Sequence, residues 1–189
     1  MTAAPALRRG SARRRILDAA AALFYGEGIR AVGVDRIIAE AGVAKATFYH
    51  HFPAKDDLVV AYVREEIRRQ RDAVERLPAT DPIGRILALF DALGEVVCGP
   101  GFRGCVFLNA AAEYPDPDHP VRRAVEDYRR WFRTLVAELL EEAGHPDPAR
   151  TAAIVLALRD GLVVGGHLDD PHRIRDLARD ALARVLKTP

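Results

Sequence analysis

Seven residues between positions 36 and 55 carry chemistry suited to an anionic partner: Arg36, Lys45, Ala46, Thr47, Tyr49, His50 and Lys55. Arginine and lysine neutralise phosphates. Threonine, tyrosine and histidine supply hydrogen-bond donors, and an alanine methyl can touch a thymine methyl, so the set fits the backbone and base edges of a DNA major groove. Five of the seven fall in the run "AKATFYHH", Ala44 to His51. Between them and just before them, Ile37, Ala41, Val43 and Phe48 sit where a helix-turn-helix needs its small apolar core. Gly42 is free to take the positive φ of the tight turn. The spacing therefore predicts two short helices, Asp35 to Ala41 and Ala44 to His51, with Lys45, Ala46, Thr47, Tyr49 and His50 facing outward from the second.

Other elements must hold that unit. Apolar residues recur at helical spacing almost everywhere and nothing alternates at the period of a strand, which predicts an all-α chain. A first helix carries Ile16, Ala20, Leu23 and Phe24 on one face and stops at Gly26 and Gly28. A long helix is expected to start at Pro53, pass through Leu58, Tyr62, Ile67 and Val74 and end before Pro78, its N-terminal partial charge and Lys55 pointing at phosphate. Three later helices open with Asp-Pro, at Asp81, Asp147 and Asp170. There the carboxylate can accept a free amide and the proline is already set at helical φ. Another short helix is expected from Cys105 to Glu113, and a long one after "YPDPDHP".

Charge is divided along the chain. The 189 residues have a formal net charge of +1, yet residues 1–55 hold nine Lys/Arg against four Asp/Glu, leaving the remainder acidic. A basic unit on an acidic body fits one part that meets a polyanion and one that does not. Arg8, Arg9 and Arg13 to Arg15 are expected to form an arm ahead of the first helix, over the adjacent minor groove or backbone. No signal-peptide pattern opens the chain and no run is expected to reach the length of a bilayer span, which gives a cytoplasmic protein without a membrane partner.

The stretch "GIRAVGVDRIIAEAGVAKATFYHHFPAKDDLV", Gly28 to Val59, resembles the N-terminal DNA-binding domain of the TetR family of bacterial transcriptional regulators. Ala41-Gly42-Val43, Phe48-Tyr49, Phe52-Pro53, Lys55 and Leu58 carry the resemblance, and the match reaches back through Ile16 to Phe24. The later helices fit the family's layout, and "GCVFLNAAAEYPDPDHPVRR" is similar to ligand-binding domains in one of its branches. The resemblance implies a helix-turn-helix domain over residues 1–55, arm included, joined to a helical ligand-binding and dimerisation domain over 56–189. It implies Lys45, Ala46, Thr47 and Tyr49 in the groove and Tyr49, His50 and Lys55 on the backbone, joined by Arg36. It also implies a homodimer on a palindromic double-stranded operator, and repression relieved by an unknown small molecule. Two positions depart from the family: Gly33 stands where a capping Ser or Thr is usual, and Ile38 where an alanine is usual.

The acidic body offers two matching features. "TAAIVLALRDGLVVGGHL", Thr151 to Leu168, is apolar on nearly every face, and a last helix carries Ile174, Leu177, Ala178, Ala181, Leu182 and Val185; the pair is expected to meet its symmetry mate. Candidates for a ligand pocket are Phe90, Phe107, Asn109, Glu113, Tyr128, Trp131, Phe132 and Asp160, with Phe102, Tyr114 and His167 as further members. Asn109 is the sole asparagine, and in an apolar helix it must reach solvent or find a partner.

Rival chemistries have less support. Ser11 is the only serine and lies among the N-terminal arginines, and His50, His51, Cys98, Cys105, His119 and His145 lack metal-ligand spacing, so no catalytic residue, metal or cofactor is expected. The alternative that keeps the regulator but changes its signal is a redox sensor, with Cys98 and Cys105 flanking the glycine-rich "CGPGFRGC".

Overall fold

A computed structural model describes residues 10–78 and 81–187. Among these the chain is all-α, as the periodicity predicts, with nine helices and no strand. They are α1 (Ala12–Glu27), α2 (Val34–Ala41), α3 (Lys45–His51), α4 (Lys55–Glu75), α5 (Pro82–Val97), α6 (Val106–Glu113), α7 (Pro120–Glu142), α8 (Pro148–Leu168) and α9 (Pro171–Val185). They form two compact units: one takes in the chain up to Arg68 together with Val106–Val125, the other Arg69–Cys105 and the chain from Glu126. The compact N-terminal unit therefore runs beyond residue 55 and recruits α6, and α4 and α7 each pass from one unit into the other.

In the first unit, Ile16, Ala20 and Phe24 of α1 are buried with Ile37, Ala41, Phe48, Leu58 and Tyr62. Phe24 meets Tyr62 edge to face with ring centroids 5.6 Å apart, and Phe48 lies 6.2 Å from Phe52. These few large side chains set the positions of three short helices that would be marginal alone. Gly42 is left-handed, φ 59°, and its amide closes α2 onto Ala39 and Ile38, so the chain turns within three residues into α3. Gly33 precedes α2 with no side-chain cap.

Two sequence expectations shift here. Ser11 is the N-cap of α1, accepting from the Arg14 amide at 3.2 Å, so Arg13, Arg14 and Arg15 are helical rather than an arm. Their charges are engaged at home: Arg14 pairs with Asp18 and with Glu65 at 2.8 Å, Arg15 donates to the Ala41 carbonyl at 3.2 Å, and Arg13 lies over the Phe52 ring. Arg8 and Arg9 lie outside the described residues. The long fourth helix begins at Lys55, with Pro53 and Ala54 forming the bend before it, because the Asp57 carboxylate accepts the Ala54 amide at 3.0 Å and caps the chain there.

In the second unit all three Asp-Pro starts form as expected. Asp81 accepts from Gly84, Asp147 from Arg150, and Asp170 from His172 and Arg173, each cap contributing about 1 kcal/mol. α8 packs on α9 and on α5. Gly166 makes the α5 contact possible: a Cβ there would fall 2.0 Å from Cγ1 of Val97. Contrary to the expectation that no run reaches bilayer length, α8 spans 21 residues with an apolar window of mean hydropathy 1.4. Its buried Arg159, Val155 and Leu162 instead set one side of it against the rest of this unit.

Candidate DNA-reading face and ligand cavity

The outward face of α3 presents what the sequence spacing predicts. Phe48 is fully buried, whereas Lys45, Ala46 and His50 are exposed, Tyr49 is 43% exposed and Thr47 is half-buried. Tyr49 stands edge-on to Phe48 at 5.3 Å, which fixes its ring on the outer side. Lys45 Nζ lies 3.2 Å from Asp35 on α2, and that hydrogen bond raises its pKa, so the cation is secured at the start of the helix.

Arg36 and Lys55 are placed differently. The Arg36 guanidinium is gripped by both oxygens of Glu27, one at 2.7 Å, so in the free protein it is an exposed, neutralised fork. Lys55 is half-buried over the Phe24 ring, its Nζ 5.9 Å from the centroid, and burial pushes its pKa down. It remains in the first turn of α4, with its amine beside the acidic pair Asp56 and Glu113.

α6 contributes a feature that the sequence reading assigned elsewhere. Both oxygens of Glu113 accept backbone amides of the α1–α2 loop, Ile29 at 2.8 Å and Arg30 at 2.6 Å. The next residue, Tyr114, donates to Asp56 at 2.8 Å and stacks on His119. Glu113 and Phe107, which is buried in this same unit, are thus not on the wall of the cavity described next; Asn109 is solvent-exposed. All three are candidates from the sequence, and none of them lines that cavity.

The second unit holds a cavity of about 170 Å³. Gln70 and Val74 of α4 line it, with Phe90, Leu93 and Val96 of α5, Tyr128, Trp131 and Phe132 of α7, and Arg159 of α8. Four sequence candidates, Phe90, Tyr128, Trp131 and Phe132, meet there. Asp160 stands behind the wall: its carboxylate accepts from Arg159 at 2.9 Å and Arg129 at 2.7 Å. Phe102 and His167 pack on each other, ring centroids 6.4 Å apart, and do not line the cavity. Arg159, 3% exposed, lines the cavity in place of the expected Asp160: the charged pair inside "TAAIVLALRDGLVVGGHL" marks a polar point on the helix without telling which of the two faces inward.

The polar groups of the wall form one chain. Tyr128 donates its hydroxyl to Gln70 at 2.6 Å, and burial pushes its pKa up to about 12 against the pull of Arg159, so it stays neutral. Arg159 lies over the Tyr128 ring and donates to Cys105 Sγ at 3.2 Å. Cys98 and Cys105 are free thiols, the second buried.

A helix-turn-helix whose second helix shows its polar face to solvent, in one chain with a helical unit that holds an apolar cavity, defines a DNA-binding regulator. Residues 16–62 match the family model for bacterial regulatory proteins of the tetR family, and residues 110–188 that of the tetracyclin repressor-like C-terminal domain. The HTH-type transcriptional regulator LmrA of Bacillus subtilis (strain 168) is 31% identical over 164 residues, covering 84% of this chain and 86% of LmrA. SCO4454, a TetR-family transcriptional regulator from Streptomyces coelicolor, is 43% identical with a TM-score of 0.86, over 93% of this chain and 94% of that one. The multidrug binding protein EbrR, solved with malachite green, is 26% identical with a TM-score of 0.74, over 95% of this chain and all (100%) of its own. The chain belongs to the TetR family: it is a DNA-binding transcriptional regulator and not an enzyme.

Proposed function

We propose that this regulator is a cytoplasmic homodimeric repressor that leaves a palindromic operator when a small molecule enters the cavity of its second unit. The observation that carries the reading is the division of labour on α3, where Phe48 anchors the helix and Lys45, Ala46, Thr47, Tyr49 and His50 are left for the groove. Lys45, Ala46, Thr47 and Tyr49 enter the groove; Tyr49, His50 and Lys55 meet the backbone, and Arg36 joins them by exchanging Glu27 for a phosphate.

Dimerisation follows from α8 and α9. Ile154, Ala157, Gly161, Val164 and Leu168 all reach solvent at alternating spacings of three and four residues, one stripe along α8. Leu168 is 72% and Leu177 of α9 is 54% exposed, an unusual cost for a lone chain in water. Small residues in the stripe let two such helices approach closely, and a second copy covers it. Two heads then read half-sites one turn apart, roughly 34–36 Å.

Ligand response rests on the cavity and on the likeness to EbrR, a multidrug binding protein. Population shift requires only that the ligand favour one head spacing over the other. The test pairs two signals in one titration: a compound that changes Trp131 fluorescence releases labelled operator duplex over the same concentration range. A compound that fills the cavity, as shown by loss of its effect in Leu93→Phe, yet leaves the DNA complex unchanged would refute the coupling.

A further inference from the structure

We infer that the cavity selects an anionic amphiphile, an aromatic or branched apolar body ending in a carboxylate or similar oxyanion, with Arg159 as the group that reads the charge. This deepens the reading of the cavity as the ligand site and rests on it. Arg159 is buried on the wall, and it shares one carboxylate, Asp160, with Arg129. A single carboxylate thus serves two guanidiniums, the buried Arg159 and the part-exposed Arg129, and the other partners of Arg159 are the Cys105 thiol, a soft and weak acceptor, and the neutral Tyr128. A second cation, Arg71, lies over the Trp131 ring at 5.1 Å. Among the described residues no carboxylate lines the cavity.

An aromatic wall can also receive a cation, which makes the opposite charge preference the main competitor. Here two of the four lining rings already carry a guanidinium, Arg159 over Tyr128 at 5.4 Å and Arg71 over Trp131. A ligand cation would meet the Arg159 guanidinium on the wall and no lining anion. A ligand oxyanion replaces the thiol at Arg159 Nη2 with a charge-assisted bond, while its apolar body lies against Phe90, Leu93 and Phe132. A cavity of about 150 Å³ suffices for a benzene-sized ring, so 170 Å³ admits one ring with a short tail.

The test titrates the full-length protein with 4-phenylbutyrate, 4-phenylbutanamide and 4-phenylbutylammonium, three probes with one body and different heads, by calorimetry and Trp131 fluorescence. The expected order is carboxylate over amide over ammonium, the first step about tenfold or more. Arg159→Met, which keeps the volume and removes the charge, brings carboxylate and amide to equal affinity. If that variant does not fold, the ranking on the unmodified protein decides alone. An amide equal to the carboxylate, or an ammonium that binds best, overturns the anion assignment and leaves the cavity as a ligand site. Failure of all three probes to bind overturns both.

Discussion

Replacing Glu113 by glutamine isolates one of the longest-range polar contacts in the N-terminal unit. The glutamate accepts the amides of Ile29 and Arg30, 84 and 83 residues away in sequence, at 2.8 and 2.6 Å. Glutamine is nearly isosteric, but its side chain has one acceptor oxygen and turns an NH₂ toward the second amide. One charge-assisted bond is therefore lost and the other is weakened to a neutral one. Hydrogen bonds to charged groups contribute about 1.5 to 3 kcal/mol, so the expected cost is about 2 kcal/mol. For a chain of this length each kcal/mol lowers the melting temperature by about 2 to 4 °C, which gives a fall of about 4 to 8 °C. Thermal unfolding followed by circular dichroism at 222 nm measures it, with the ligand affinity of the same variant read at Trp131. An unchanged melting temperature would refute the clamp. Lost ligand binding at unchanged stability would return Glu113 to the ligand set that its position in the sequence implied.

Other outcomes test separate parts. Thr47→Ala should alter preference at one base position by about 1 to 3 kcal/mol, whereas Lys55→Ala should weaken all duplexes alike and reduce the salt slope by about one; affinity measured over a salt series on matched and mismatched duplexes separates the two. Gly166→Ala should destabilise by about 1 to 3 kcal/mol in chemical denaturation, since the new methyl overlaps Val97 on α5. Tyr128 has a folded pKa of about 12, set by burial, against about 10 unfolded. The folded state therefore holds the proton more tightly: its contribution is complete below about pH 10 and is lost as pH rises toward 12, a decline that Tyr128→Phe should lack in denaturation midpoints taken across that range.

What could be read from the sequence was mostly local. Asp-Pro at 81, 147 and 170 names both the cap and the first helical residue, so those three helix starts needed no tertiary knowledge. The turn at Gly42 and the burial of Ile37, Ala41 and Phe48 follow from spacing over a dozen residues, and with them the outward face of α3. The Ser11 cap is local too, a serine three residues ahead of the Arg14 amide that it accepts. Glu113 and Arg159 could not be placed in this way. The first acts through a loop 84 residues away, and the second depends on which side of an all-round apolar helix faces α7, a rotation that periodicity does not fix when every face is apolar.

Selection of bound duplexes from a random pool by the full-length protein, repeated at two salt concentrations, tests the central claim most directly. The account predicts an enriched, approximately palindromic site with half-sites one helical turn apart, occupied by two chains, and an affinity that falls steeply with salt. No enriched sequence, or a single half-site held by one chain with salt-insensitive affinity, would contradict it.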